Sequence, residues 1–477
     1  MKMNIIVAFC NKNGIGFNNK IPWNILADLK YFKKVTSHSN NPILKNVVIM
    51  GRKTWESIPD KFRPLDNRIN IVLSNNKDLK LEGAFVCNSL AESFNILNKI
   101  TNANMDNVFI IGGESIYNQV INNKLVKKIY VTEIYDKFEC DSYFPSIPDY
   151  FKLISVSSFK NENDSHFRYL VYLNCKINHY NTHNLFWENH EEQQYLNCLN
   201  SILSTGLQRQ DRTGVGTYSK FGECFKYNLD DTFPLLTTKK MFVRGIFEEL
   251  KFYLSGKTDN KILNDKKINI WNGNTSRDFL DKRGLSHYPE GDMGETYGFN
   301  FRHYGAEYKT CKENYEGQGF DQVDNAIQLI KNNPESRRII IDIWNCSTLD
   351  KAALPPCLCK YQFYVNTIDK KLDLMIYIRS SDFFLANNWN TCTGAFLVHM
   401  ICNLEGIDLT PGNLTVVTGD THIYNTHLQQ VKENLRRVPR PFPKLIIKEK
   451  KNNINDFEYS DMKIIGYNPY PNISAEM

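Results

Sequence analysis

Apolar residues over the first 175 positions come in short runs, at 5–9, 47–50, 69–73, 108–111, 128–134 and 167–173, rich in β-branched and aromatic side chains. Runs of that length read as strands. Between them the spacing changes. Ile25, Leu26, Leu29 and Phe32 recur with a helical period, and so do Leu90, Phe94 and Leu97. Strands alternating with helices predict an α/β domain: a mixed, mostly parallel sheet with flanking helices. The last strands follow one another without helices, which predicts an antiparallel edge. From position 191 the pattern differs. A helix through Tyr195, Leu199, Ile202 and Leu203 opens it, and a second spans 241–254 and stops at Gly256. Strands are expected at 338–343, 361–365 and 372–379, and helices at 393–404 and 424–435, which makes a larger α+β domain. Residues 176–190 hold few aliphatic side chains and read as a linker. The expected division is 1–175, 176–190 and 191–477.

With 42 % apolar and 13 % aromatic residues in 477 positions, the chain can bury substantial cores, which argues against disorder. No apolar run approaches the ~20 residues that span a bilayer, and the first apolar stretch is too short for a signal sequence. A cytoplasmic protein with no membrane partner is expected. The net charge of +6 comes with no basic stripe, so nucleic acid is not expected as a partner, while anionic small substrates are compatible with it. Twelve cysteines at irregular spacing read as reduced thiols. There is no CxxC pair. His179, His183 and His190 lack the company of Cys or carboxylate at ligand spacing, so no metal is expected.

Asp28 falls in the first helical pattern, on a face shared with Leu29, Phe32 and the preceding Ile21-Pro22-Trp23. A carboxylate there costs free energy unless something satisfies it; a cap or surface Asp is the plainer alternative. Three glycine-containing turns follow strands: Gly14-Ile15-Gly16, Gly51-Arg52-Lys53-Thr54 and Gly112-Gly113. Two of them open helices and suit phosphate, yet none is the G-x-G-x-x-G fingerprint. Read in order with Trp55-Glu56-Ser57-Ile58, Arg63-Pro64-Leu65, Asn67-Arg68 and Glu114-Ser115-Ile116-Tyr117, the first 175 residues resemble dihydrofolate reductase. The resemblance implies that Asp28 binds the pterin ring and favours its protonation. It places Phe32, Ile58, Leu65 and Thr132 along the pocket and pairs Arg68 with the α-carboxylate of the glutamate tail. It assigns Arg52, Lys53, Thr54 and Ser74 to NADPH phosphates. Ala8, Ile15, Gly16, Gly112, Gly113 and Tyr117 would border the nicotinamide and pyrophosphate.

In the second half Cys357 follows Pro355-Pro356, a rigid turn before a strand. A lone cysteine is usually a small buried hydrophobe; a nucleophilic thiolate needs nearby positive charge. Arg212, Arg337, Arg338 and Arg379 are candidates, and converging arginines also suit a dianionic phosphate. Pro234-Leu235-Leu236-Thr237-Thr238-Lys239-Lys240, Glu248-Glu249-Leu250, Tyr297-Gly298-Phe299, Ser336-Arg337-Arg338 and Gly419-Asp420-Thr421-His422-Ile423-Tyr424 make this half resemble thymidylate synthase. The order of the halves is similar to the bifunctional enzymes of protists. By that resemblance Cys357 attacks C6 of dUMP, and methylenetetrahydrofolate is the co-substrate. Arg212, Arg379 and Ser380 hold the phosphate, with Arg337 and Arg338 coming from the second subunit of a homodimer. Asn390, His422 and Tyr424 read the uracil and deoxyribose, Glu249 and Tyr297 manage water and protons, and Trp271 and Asp382 contact folate.

The resemblance breaks in four places. The residue after the nucleophile, normally His, is Leu358. The family tract Gly-Leu-Pro-Phe-Asn reads Ala386-Asn387-Asn388-Trp389-Asn390, and the next stretch, normally Ile-Ala-Ser-Tyr, reads Thr391-Cys392-Thr393-Gly394. The chain ends at Ala475-Glu476-Met477, two residues short of the family's usual terminus. Two readings follow: an enzyme with both activities, or a working reductase carried on a catalytically weak synthase-like dimerisation platform.

Overall fold

The computed structural model describes residues 3–39, 44–76, 78–100, 105–176, 190–210 and 214–475. The chain divides into two compact units, Met1–Asn189 and His190–Met477. His190, counted with the linker above, packs in the second unit. Its ring is buried edge-on against Phe442, with centroids 4.6 Å apart, and its Nδ1 accepts from the Glu192 N–H at 3.1 Å.

In the first unit the strand Met3–Phe9 lies between two parallel neighbours, Met105–Gly112 and Val126–Ile134. Beyond Met105–Gly112 come Lys45–Gly51, Arg68–Leu73 and Ala84–Cys87, all parallel. On the other side Ser165–Asn174 runs antiparallel to Val126–Ile134, and Phe151–Val156 and Lys160–Glu162 pair antiparallel with it. Ile5, Val47, Ile49, Ile71, Val108 and Ile110 are fully shielded. Both faces of the parallel part are covered, which explains why its runs are continuously apolar rather than alternating. One face packs on the helix Glu114–Val120 through Ile5, Val7, Ile116 and Val120. On the other, Ile6, Val48, Met50 and Ile111 meet Phe32 and Val35 of the helix Leu26–Ser37. Asp28 sits on that helix, on the side turned to the sheet.

In the second unit six strands pair in the order Leu207–Arg209, Thr217–Asn228, Thr410–Tyr424, Lys371–Asp382, Leu358–Asn366, Ile340–Asp342. Lys371–Asp382 and Thr410–Tyr424 are parallel; the other pairs are antiparallel. One sheet face supports the helices Glu192–Thr205 and Asn387–Cys402, and Val243–Leu254 packs on Asn387–Cys402. The last is buried on nearly every side, so its apolar residues show no stripe. The helix expected at 424–435 begins only at Leu428. Tyr424 ends a fifteen-residue strand whose Pro411, Gly412 and Gly419 hid it from pattern reading. The opposite sheet face leaves Tyr364, Met375 and Tyr377 exposed, at 65 %, 41 % and 39 % of their surface. Among the described residues no helix is long and apolar enough to cross a membrane.

Candidate active sites

The first unit contains a cleft of about 1410 Å³. Its walls include Ala8, Ile15, Gly16, Asp28, Phe32, Arg52, Lys53, Thr54, Ile58, Leu65, Arg68, Ser74, Gly113, Tyr117 and Thr132. Of the residues expected here from sequence, only Gly112 stands off the wall. It packs against a wall residue instead. Its φ is +113°, and a Cβ there would lie 3.1 Å from the Tyr117 ring, whose hydroxyl donates to the Ile6 carbonyl at 2.8 Å.

Asp28 is 7 % exposed. Burial pushes its carboxyl above the usual carboxylate range, against the pull of the Thr132 hydroxyl and the Trp23 indole. A buried acid at the end of an otherwise apolar pocket, beside Thr132 and Trp23, can exchange a proton with a bound ring. Arg68 is equally buried. Its Nε donates to the Asp66 carbonyl at 2.9 Å and its Nη1 to the Thr36 hydroxyl at 2.7 Å, and its guanidinium lies 5.8 Å from the Phe32 ring centroid. Among the described residues no carboxylate comes within ion-pairing distance of it, so three of its five N–H donors remain for a ligand. Thr36, which orients Arg68, was not legible as a site residue. Its hydroxyl is held in turn by the Phe32 carbonyl at 2.7 Å. Arg52 carries a salt bridge to Glu56 at 2.6 Å, one turn along the same short helix.

In the second unit the double proline presents Cys357 under Arg379. The guanidinium donates to the Pro356 and Pro355 carbonyls at 2.8 and 3.1 Å, and Nη2 lies 4.0 Å from the Cys357 Sγ. A cation locked in place there stabilises a thiolate. The Cys357 N–H donates to the Tyr297 hydroxyl at 2.8 Å. The Tyr297 ring stacks on Tyr253, with centroids 4.7 Å apart, and meets Trp271 edge-on. Glu249 accepts from the Tyr253 hydroxyl at 2.9 Å, from Trp271 Nε1 at 2.7 Å and from Trp389 Nε1 at 2.6 Å. Glu249 is buried. Burial raises its pKa, and the Trp389, Trp271 and Tyr253 donors oppose the shift.

The register of the two parallel strands sets Asp382 beside His422 and Ser380 beside Asp420. His422 Nδ1 lies 2.9 Å from Asp420, and Tyr424 packs edge-on to its ring at 5.1 Å. Asp382 accepts from the Leu385 N–H at 3.0 Å, and Asn390 stands half-buried in the first turn of the helix Asn387–Cys402. Leu358 points into the core. Arg337 and Arg338 are exposed, and among the described residues no hydrogen bond or ion pair ties them to this cluster. Arg212, Glu476 and Met477 lie outside the described residues. Tyr253 and Trp389 escaped sequence reading. The available signals were the i, i+4 spacing of Glu249 and Tyr253 on one helix, and an indole standing where the family tract has Phe.

Residues 2–174 match the dihydrofolate reductase family model and residues 193–477 the thymidylate synthase family model. The chain is 38 % identical to the bifunctional dihydrofolate reductase-thymidylate synthase of Zea mays, over 99 % of this chain and 96 % of that one. It is 39 % identical to the Leishmania major protein of the same description, over 99 % and 94 %. With the Paramecium tetraurelia protein, also so described, identity is 40 % over 99 % and 98 %. The chain belongs to the bifunctional dihydrofolate reductase–thymidylate synthases. It carries both activities, and nothing in its relatives favours an inactive synthase half. Folate-dependent chemistry and NADPH use come with the family.

Proposed function

We propose that the first unit reduces dihydrofolate in the cleft around Asp28, and that the second converts dUMP to dTMP at Cys357, regenerating the dihydrofolate that the first consumes. The carrying observation is the unbroken hydrogen-bonded and stacked path from the Cys357 N–H through Tyr297 and Tyr253 to Glu249, with Arg379 over the sulfur. A structural cysteine has no need of a fixed cation on one side and a tyrosine pair leading to a buried acid on the other.

The cleft suits NADPH in its donor set. Arg52, Lys53, Thr54 and Ser74 offer cationic and hydroxyl groups for phosphates, and Ala8, Ile15, Gly113 and Tyr117 offer a flat, largely apolar surface for the nicotinamide. Bound there, it supplies a hydride. Asp28 accepts the ring donors of the pterin and favours the protonated substrate. Phe32, Ile58 and Leu65 exclude water, and Arg68 holds the tail carboxylate as a bidentate pair.

At the synthase site Arg379, Ser380 and Arg212 take the dUMP phosphate, joined by Arg337 and Arg338 of a second copy. Asn390, His422 and Tyr424 read the base and sugar. Cys357 adds to C6, which makes C5 nucleophilic toward the one-carbon unit of methylenetetrahydrofolate. Glu249 and Tyr297 order water and move protons, and Trp271 and Asp382 meet the folate. The homodimer reading rests on the exposed sheet face of Tyr364, Met375 and Tyr377, the apolar surface on which a second sheet would stack. Twelve scattered thiols suit a reducing compartment such as the cytoplasm.

The test is tritium release from [5-³H]dUMP with methylenetetrahydrofolate, with NADPH oxidation followed in parallel. Label release should vanish in Cys357→Ala while dUMP binding and dihydrofolate reduction persist. Label release unaffected by that substitution would overturn the nucleophile assignment.

A further inference from the structure

The tract that departs furthest from the synthase pattern delivers Trp389 to Glu249. Both Glu249 oxygens are engaged. Oε1 accepts from Trp271 Nε1 at 2.7 Å and from the Tyr253 hydroxyl at 2.9 Å; Oε2 accepts from Trp389 Nε1 at 2.6 Å. Indole N–H groups only donate, so two of the three partners fix the acid as an acceptor. The position is built to take the larger ring. Gly245 lies one turn before Glu249 on the helix Val243–Leu254, and a Cβ there would come within 2.5 Å of the Phe242 ring and 2.9 Å of Trp389 Cη2, so the glycine leaves room for both rings. Phenylalanine, which the family tract carries at this position, fills similar space but has no donor for Oε2.

We propose that Trp389 is a positioning residue of the synthase reaction, its indole N–H holding Glu249 Oε2 in the orientation the reaction uses. This rests on the reading of Glu249 as the group that orders water and protons beside dUMP. Three donors on two oxygens favour the carboxylate against the burial that opposes it. Removing one donor makes the acid harder to ionise and frees one oxygen to rotate. Substrate affinity, set by the phosphate arginines and the groups that read the base, is untouched.

The experiment uses the full chain with Trp389→Phe, Glu249→Gln and the double variant. NADPH-dependent dihydrofolate reduction in the same samples reports intact protein. Trp389→Phe should lower synthase kcat roughly ten- to a hundredfold, as loss of a hydrogen bond to a charged group predicts, with KM for dUMP unchanged. The acid limb of its kcat profile should move to higher pH, because an acid with fewer donors needs higher pH to ionise. In the Glu249→Gln background, read by end-point tritium release, the same change should cost little further. An unmoved kcat and acid limb in Trp389→Phe, or an equal loss in both backgrounds, would overturn the proposal while leaving Glu249 in its role. Parent-like turnover in Glu249→Gln would overturn the role of Glu249 itself, and the inference with it.

Discussion

Arg68 permits a quantitative test of the reductase site. Replacing it with lysine keeps the charge and much of the stem but removes the fork. In the protein two of its five N–H groups are spent, on the Asp66 carbonyl and the Thr36 hydroxyl, which aim the remaining three into the cleft. A lysine ammonium keeps one contact to a carboxylate and loses the second, a hydrogen bond to a charged group of about 1.5–3 kcal/mol. At about 1.4 kcal/mol per tenfold, KM for dihydrofolate should rise ~10- to 100-fold in Arg68→Lys. The tail carboxylate lies remote from the reacting ring, so kcat should change little. Steady-state NADPH oxidation against dihydrofolate concentration measures both. A pterin substrate without the glutamate tail supplies the control: parent and variant should reduce it alike. Equal loss on the tailless substrate would show that Arg68 acts through packing against Phe32, and the tail assignment would fall.

Asp28→Asn should lower dihydrofolate turnover about a hundredfold or more, as loss of an acid–base group does, with NADPH binding retained. The same substitution should raise stability at neutral pH. Burial raises the folded-state pKa of Asp28 above the ordinary carboxylate value of 3.8, so the folded state holds the proton more tightly, and the ionised acid costs stability as pH climbs above 3.8. Ligand-free melts should show the variant more stable than the parent at pH 7, with the gap closing below pH 3.8; a variant less stable at pH 7 would contradict the burial argument. On the synthase sheet, Met375→Glu places a charge in the open face and should convert a dimer to a monomer in sedimentation. Label release should fall with it, because Arg337 and Arg338 of the second copy leave the phosphate site. A fully active monomer would refute their assignment.

Much of the first unit was legible because its sheet is parallel and covered on both faces. Apolar runs there coincide with strands, and the turns after them carry the glycine and basic residues that shape the cleft. Strands at Ala84–Cys87, Phe151–Val156 and Lys160–Glu162 escaped because they are short or lie at or near the sheet edge, where mixed polarity leaves little pattern. In the second unit the strand Thr410–Tyr424 was hidden by Pro411 and two glycines, although it brings His422 beside Asp382. Motifs located Glu249, Tyr297, Trp271 and Cys357, but not the order in which they touch. That order depends on two helices and a double-proline turn meeting at a distance no local period records.

The altered tract of the synthase half is the sharpest case. Asn387, Asn388 and Trp389 place polar atoms where the family pattern has Leu, Pro and Phe, and buried polar atoms without partners cost about 1–3 kcal/mol each. Each finds a partner here. The Asn387 side-chain carbonyl accepts from the Ser381 hydroxyl at 3.3 Å. Asn388 donates to the Pro234 carbonyl at 2.8 Å and accepts from the Leu236 N–H at 3.3 Å, which ties the tract to the segment leading into Thr237 and Thr238. Those two threonines in turn enclose the buried Glu192 through their hydroxyls and backbone N–H groups. Trp389 completes the shell of Glu249. Three substitutions made independently in a scaffold freed from catalysis would leave orphaned polar atoms in this helix turn. Their joint satisfaction, with one of them directed at Glu249, is the arrangement expected of a synthase site rebuilt around a different wall. The family's own residues put back one at a time, Asn388→Pro first, should therefore cost activity rather than restore it.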